Sequence, residues 1–155
     1  MPAKGVAALE TGQAFARAHE LWKQLGSPSE FLHILRGQDR YHAYRGELDL
    51  ALRLDQELLA LSRQRNNARG VISSLFGFGH NLMFSGKFGP SRLHLEEAVA
   101  SVALGDSNLH RMFHTDLQAY LGTVLFILGY PDQALARNNA AIAEARGLAL
   151  RHFWL

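Results

Sequence analysis

Two histidines, His110 and His114, have the spacing in this sequence that most directly suggests chemistry. Residues four apart share one face of a helix, so the two imidazoles could hold a metal ion together, with Asp116 nearby. The glutamate of an H-E-x-x-H motif is missing between them, and no third ligand falls in register. We therefore predict two exposed or helix-capping histidines and no metal or other cofactor.

Two glycine-containing segments, Gly77-Phe78-Gly79 and Ser85-Gly86-Lys87, contain fragments of phosphate-binding loops. The first lacks a third glycine and falls inside a predicted helix. The second lacks the earlier glycine and has Phe88 where a hydroxyl would bind magnesium. We predict that Gly79 packs between helices and that Gly86 forms a turn. Since no Ser/His/Asp or paired-carboxylate set can be argued from the sequence either, we predict that the protein is not an enzyme.

The composition is that of a single folded domain that is neither disordered nor membrane-spanning. The chain has 155 residues, of which 48% are apolar and 19% charged. No apolar run approaches the roughly 20 residues that cross a bilayer, and the polar amino end, interrupted by Glu10, is unlike a signal peptide. The sequence has no cysteine, so we expect a cytoplasmic protein. A net charge of +2 is too small to indicate a nucleic-acid-binding field over the whole molecule.

Helical periodicity extends along the whole chain and is interrupted by glycine or asparagine turns. The segment from Ala68 to Ser85 is apolar almost all round, which predicts a central helix covered on several sides. Before it we predict three helices. The first covers 6–25, the second is opened by the S-x-x-E capping box Ser27–Glu30 and ends near Gly46, and the third runs from Glu47 to about Arg65. After it we predict a helix at Ser91–Leu104, a hairpin of two helices at Tyr120–Ala145, and a further helix from Leu148 to Leu155.

Glycines that could turn the chain recur at a nearly constant interval, at Gly5, Gly46, Gly86 and Gly129, which are 41, 40 and 43 residues apart. Two helices per period and no strand pattern are typical of an α-solenoid, in which helical hairpins stack side by side. We therefore predict an all-α fold of about seven helices arranged as antiparallel hairpins.

The hairpins resemble tetratricopeptide (TPR) repeats. Around Gly129 the matching residues are Leu121-Gly122, Ala134 and Ala141; around Gly86 they are Phe78-Gly79, Phe88, Ser91 and Ala98; around Gly46 only Ala51 matches. The resemblance implies a single TPR-like domain over residues 1–155 that forms a right-handed superhelix. Its hairpin units would be about 1–26 (partial), 28–66, 67–105, 107–147 and 148–155 (partial).

Nearly the whole chain is also similar to the carboxy-terminal repeat region of bacterial multidomain regulators. Those proteins join a class III cyclase or DNA-binding domain to an AAA-type ATPase. The segments that carry this similarity are Lys4–Ala8, Glu20–Gly26, Tyr44–Leu48 and Leu128–Ala136. The similarity implies a fragment or relative of a signalling scaffold, whose partners are proteins, peptides or adjacent domains of a parent protein.

In the TPR family the first helix of each hairpin lines a concave groove. The matching positions here are His33, Arg36, Arg40, Tyr44, Ser73, Phe76, His80, Met83, Phe84, Asp116, Ala119, Thr123, Phe126 and Ile127. From these, the expected partner-binding residues are Arg36, Arg40, Tyr44, Phe76, His80, Met83, Phe84, Asp116 and Thr123.

Arg36 and Arg40, four apart, could grip a carboxylate or phosphate above an apolar floor of Phe76, Met83 and Phe84. Alternatively, the three apolar residues are ordinary core, and the arginines are a solvated stripe that pairs with Asp39 or Glu47.

The leading hypothesis is a non-catalytic TPR-like module that binds a protein or peptide segment in its groove. The alternative is a helical repeat whose arginines, including Arg63, Arg65 and Arg69, follow a nucleic-acid backbone. We also expect Phe153, Trp154 and Leu155 to form an apolar patch at an open end of the repeat, favouring end-to-end association or folding back over the last hairpin.

Overall fold

The computed structural model describes residues 5–28, 32–103 and 107–152, with side chains described outside 107–112 and 148–152. This part of the chain is entirely helical and turn structure, without a strand, which confirms the predicted all-α class. The helices are α1 (Leu9–Gln24), α2 (His33–Tyr44), α3 (Leu48–Gln64), α4 (Ala68–Phe84), α5 (Phe88–Ala103), α6 (Ser107–Ile127) and α7 (Pro131–His152). Among the described residues, no helix has the length and apolar character to span a bilayer.

Glycines end α2, α4 and α6 as the sequence predicts. Gly46, Gly86 and Gly129 have φ of 76°, 73° and 85°, a conformation that costs other residues energy. In each turn the N–H of the following residue bonds at 2.9 Å to a carbonyl five residues back, which satisfies one of the open carbonyls at the helix end. Asn66, with φ 52°, closes α3 in the same way, and Pro131 begins α7.

Three predicted boundaries differ from the observed ones. α2 begins at His33 rather than directly after Ser27, the first residue of the capping box. α5 begins at Phe88 rather than Ser91, because Pro90 falls in the first turn, where its missing N–H needs no partner. The separate helix expected from Leu148 is instead the last part of α7, since Gly147 interrupts a helix only weakly, at about 1 kcal/mol. The residues 29–30 of the capping box, the loop residues 104–106 and the apolar end 153–155 lie outside the described residues.

Consecutive helices pack against one another along the chain. In addition, α4 contacts both α2 and α6, and we term these three helices the α2–α4–α6 row. α4 thus contacts α2, α3, α5 and α6, in agreement with its predicted central position. Gly79 confirms the predicted packing role, because a Cβ atom there would lie 2.4 Å from Cγ of Leu95.

Candidate functional site

A cavity of about 460 Å³ opens along the α2–α4–α6 row. Helical spacing places the contributions of α2, at positions 36, 40 and 44, on one face of that helix. The cavity is lined by six of the nine residues expected from the sequence to bind a partner: Arg36, Arg40, Tyr44, Phe76, His80 and Asp116. The fold therefore brings these six side chains, from three separate helices, around one space.

The remaining three expected residues lie outside this cavity. Met83 is half-buried and packs against the main apolar core, as the alternative interpretation of the sequence held. Phe84 is 62% exposed, with its ring centroid 4.7 Å from that of His80. Thr123 is exposed and donates its hydroxyl proton to the carbonyl of Ala119 at 3.1 Å. Of the wider groove set, His33 and Ser73 also line the cavity, whereas Ala119, Phe126 and Ile127 do not.

Beneath the cavity lies a buried polar cluster that the sequence analysis missed. Asp39, Asp55 and Asn81 are all buried. The Asn81 side-chain amide donates to both carboxylates, with Nδ2 at 2.8 Å from Asp39 Oδ1 and at 2.8 Å from Asp55 Oδ2. The Arg36 guanidinium pairs with Asp39 and lies 3.8 Å from Asp55 Oδ1. Two carboxylates from different helices thus share one amide and one cation.

Gly77 makes room for this cluster in the middle of α4. A Cβ atom at this position would lie 2.0 Å from Asp55 Oδ1 and 2.7 Å from Arg36 Nη1. Any larger residue would therefore displace the buried carboxylate or the guanidinium. Glycine is a poor helix former, so a glycine inside a long helical pattern was the available signal that another group approaches the backbone here.

The electrostatics of the cluster favour holding a proton. Burial raises the pKa of Asp39, with Arg36 and Asn81 opposing the rise. Burial and repulsion from Asp39 raise the pKa of Asp55 well above its ordinary value. Asp55 Oδ1 has no hydrogen-bond partner within the described chain. A single guanidinium therefore faces two carboxylates whose charges are costly to keep together.

Aromatic rings form one wall of the cavity. The ring centroid of Tyr120 lies 5.4 Å from that of Phe76 and 5.2 Å from that of His80. The guanidinium carbon of Arg36 lies 5.5 Å from the Phe76 centroid. Burial lowers the pKa of His80, so this imidazole is neutral at pH 7 and can donate from Nδ1 to Asn81 Oδ1 at 3.1 Å. The wall is thus apolar, with hydrogen-bonding edges.

Two further arginines stand at the edge of the cavity. Arg40 and Arg69 are both exposed, and within the described residues neither forms a salt bridge. The Arg40 guanidinium carbon lies 5.9 Å from the ring centroid of Tyr44. Arg69 lies in the first turn of α4, after the N-cap residue Asn67. Asp116 of α6 is exposed and adds one negative charge to the same cavity.

The arginines of the nucleic-acid hypothesis are not grouped in this way. Arg63 pairs with Glu97 of α5 at 2.8 Å, and the Arg65 guanidinium donates to the carbonyl of Ser27. Of the three arginines, Arg69 lines the cavity and Arg63 and Arg65 do not.

His114 differs from the exposed or capping residue that the sequence predicts. It is half-buried between α6 and α7, where its Nδ1 contacts the Glu144 carboxylate and its Nε2 lies 3.0 Å from Gln118 Nε2. The side chain of His110 lies outside the described part. Within the described residues, no group of three potential ligands is placed to hold a metal ion.

The chain matches no protein-family model, no curated protein and no solved structure. The chemistry of the cavity is thus the basis for proposing what the chain binds.

Proposed function

We propose that the chain is a non-catalytic, TPR-like helical-repeat module that binds a peptide or protein segment along the α2–α4–α6 row. The segment it fits carries an acidic side chain beside an apolar one. Binding to a neighbouring domain of a larger signalling regulator, as the sequence similarity implies, would use the same surface.

The repeat arrangement is supported by the turns and by the packing. Gly46, Gly86 and Gly129 turn the chain at the same point of three successive hairpins, each with left-handed backbone geometry. The first helices of these hairpins, α2, α4 and α6, contact one another in order. This is the neighbour relation that a right-handed TPR-like solenoid requires of its inner helices.

The observation that carries the proposal is a pair of exposed guanidiniums, Arg40 and Arg69, which have no salt bridge among the described residues and lie beside an aromatic wall. The cavity holds three arginines and two aspartates, Asp39 and Asp116, so its net charge is positive even when both aspartates are ionised. Guanidinium groups bind carboxylates with charge-assisted, often bidentate, hydrogen bonds. Phe76 and Tyr120 offer an apolar surface to a neighbouring side chain of the bound segment.

A selection from a library of random 12-residue peptides displayed on phage tests this proposal. We expect the selected peptides to be enriched in Asp or Glu next to an apolar residue. Fluorescence anisotropy then compares the wild type with the double variant Arg40→Gln/Arg69→Gln. We expect at least tenfold weaker binding by the variant, because one hydrogen bond to a charged group contributes about 1.5–3 kcal/mol.

Arg53→Gln is the matched control, since Arg53 is also an exposed arginine without a salt bridge in the described chain but lies outside the cavity. Its affinity should equal that of the wild type. Equal binding by the double variant would remove the proposed role of the cavity. Failure to select any peptide, with tight and steeply salt-dependent binding of a 20-nucleotide single strand, would favour the nucleic-acid alternative.

A further inference from the structure

Arg36 belongs to the cavity and to the buried cluster at the same time. It lines the cavity, and its side chain is 19% exposed. Its Nη1 atom also faces Asp39 and Asp55, and within the described chain no other arginine or lysine contacts either carboxylate. An anion that enters the cavity therefore meets the one guanidinium that neutralises the carboxylate pair.

The cluster has little means of replacing that guanidinium. The Nδ2 group of Asn81 already donates to both carboxylates. The close approach of Gly77 fills the space beside Asp55 with the α4 backbone. Two buried carboxylates that share only an amide cannot both remain ionised, because their repulsion is weakly screened in the interior. Uptake of a proton by the pair can compensate for the loss of the positive charge of Arg36.

We propose that an anion bound in the cavity draws Arg36 away from Asp39 and Asp55, and that this pair takes up a proton as the anion binds. The inference rests on the proposed function, because the anion it concerns is the acidic group of the bound segment. It adds that recognition by this site is linked to pH.

The sign of the linkage follows from the charges. Loss of Arg36 raises the proton affinity of the pair, so the bound state holds a proton at a higher pH than the free state does. Anion affinity is therefore constant at pH values below the pKa of the free pair. It falls as pH rises from that pKa to the higher pKa of the bound pair. The slope can approach, but not exceed, tenfold per pH unit for one proton.

Other titratable or charged groups surround Arg36 and the carboxylates, and the titration of one of them could also make anion affinity fall as pH rises. The groups that face this region are His33 and Arg40 from α2, Arg69 and His80 from α4, and Asp116 and Tyr120 from α6. Of these, His33 and His80 are imidazoles, and a protonated imidazole would also attract an anion. The experiment must therefore separate both histidines from the carboxylate pair.

The test is an NMR titration of the full chain with three small probes between pH 6 and pH 8. The acidic probe is the tripeptide Phe-Glu-Leu with acetylated and amidated ends. Its neutral match is Phe-Gln-Leu blocked in the same way, and a third probe is acetylated Phe-Gln-Leu with a free carboxy terminus. Together they distinguish a side-chain carboxylate from a terminal one.

We expect the dissociation constant of the acidic probe to rise with pH, by at most tenfold per pH unit, whereas that of the neutral probe stays constant. Asp55→Asn mimics the pair that holds one proton, so its affinity should be independent of pH and equal to that of the wild type at low pH. His80→Gln, which keeps an amide donor toward Asn81, should retain the wild-type slope, and so should His33→Gln. Should Asp55→Asn fail to fold, the wild type and the two histidine variants decide the question.

The outcomes separate the two proposals. If the probes bind with pH-independent constants, or if the slope disappears in His80→Gln or in His33→Gln, the proton coupling is wrong and the binding function stands. If none of the probes shifts an amide signal of the cavity and no displayed peptide is selected, the proposed function and the coupling both fall.

Discussion

The two ends of the α2–α4–α6 row have cores of different kinds. Between α4 and α7 the buried residues form one apolar cluster that includes Leu75, Leu95, Leu121 and Val124. A smaller apolar cluster that includes Trp22, Leu35 and Leu58 lies among α1, α2 and α3, and α2 and α3 also carry the buried carboxylates of Asp39 and Asp55. The apolar side stabilises the fold through burial of hydrophobic surface. The polar side gains less stabilisation of this kind, and it is the side that borders the cavity.

A buried pair of carboxylates lowers the stability of the folded state, so its position in the molecule is informative about function. Replacing buried ionic groups with apolar residues is often neutral or stabilising in proteins, so such groups indicate a role other than stability. Here they hold Arg36 at the base of a cavity whose rim carries Arg40 and Arg69. The contrast between the two ends thus separates residues that support the fold from residues that, under the proposed function, support binding.

The largest effect should come from the apolar end. Leu121 is fully buried in the α4–α7 cluster, so Leu121→Ala should reduce the free energy of unfolding by about 2–5 kcal/mol through lost burial and a cavity. Urea denaturation followed by circular dichroism measures this change. Because no charge is involved, the loss should be the same at pH 5 and at pH 8. A loss below about 1 kcal/mol, or one that varies with pH, would contradict the division between the two ends.

A smaller, pH-dependent effect is expected at the polar end from Asp55→Asn. The folded-state pKa of Asp55 is raised, so the stability that its proton contributes is complete below the ordinary value of 3.8 and is lost as pH rises through the folded-state pKa. The asparagine variant has no such loss. The free energy of unfolding of the variant should therefore increase relative to that of the wild type as pH rises, by on the order of 1 kcal/mol between pH 4 and pH 8.

The same urea measurements, repeated across that pH range, provide the check. Leu121→Ala is the control, because it removes stability without replacing a titratable residue. A constant difference between Asp55→Asn and the wild type at every pH would show that Asp55 does not hold its proton more tightly in the folded state.

The helices and turns could be predicted from the sequence because their causes are local. Gly46, Gly86 and Gly129 each follow an apolar helical stripe directly and supply the left-handed conformation that ends the helix. The apolar character of α4 on almost all sides likewise predicted a central helix covered on several sides, and α4 contacts four other helices. At two of the wrong boundaries, Pro90 and Gly147, the residue type was compatible with a helix although it is often found at a helix end.

The site could be predicted only in part, because its remaining members are distant in sequence. Asp39 and Asp55 lie 42 and 26 residues from Asn81, and no spacing rule joins them. One signal was available: Asp55 occupies the same buried stripe of α3 as Ala51 and Leu58. A charged residue on an apolar stripe indicates a buried partner, although it does not say which one.

The central claim, that the α2–α4–α6 row is the binding surface, is tested most directly by hydrogen–deuterium exchange of the full chain with and without a selected peptide. The account predicts slower exchange at 36–44, 69–81 and 113–120, with α3 and α5 unchanged around the exposed residues Arg53 and Leu93. Protection confined to α3, α5 or α7, with the cavity helices unchanged, would contradict it.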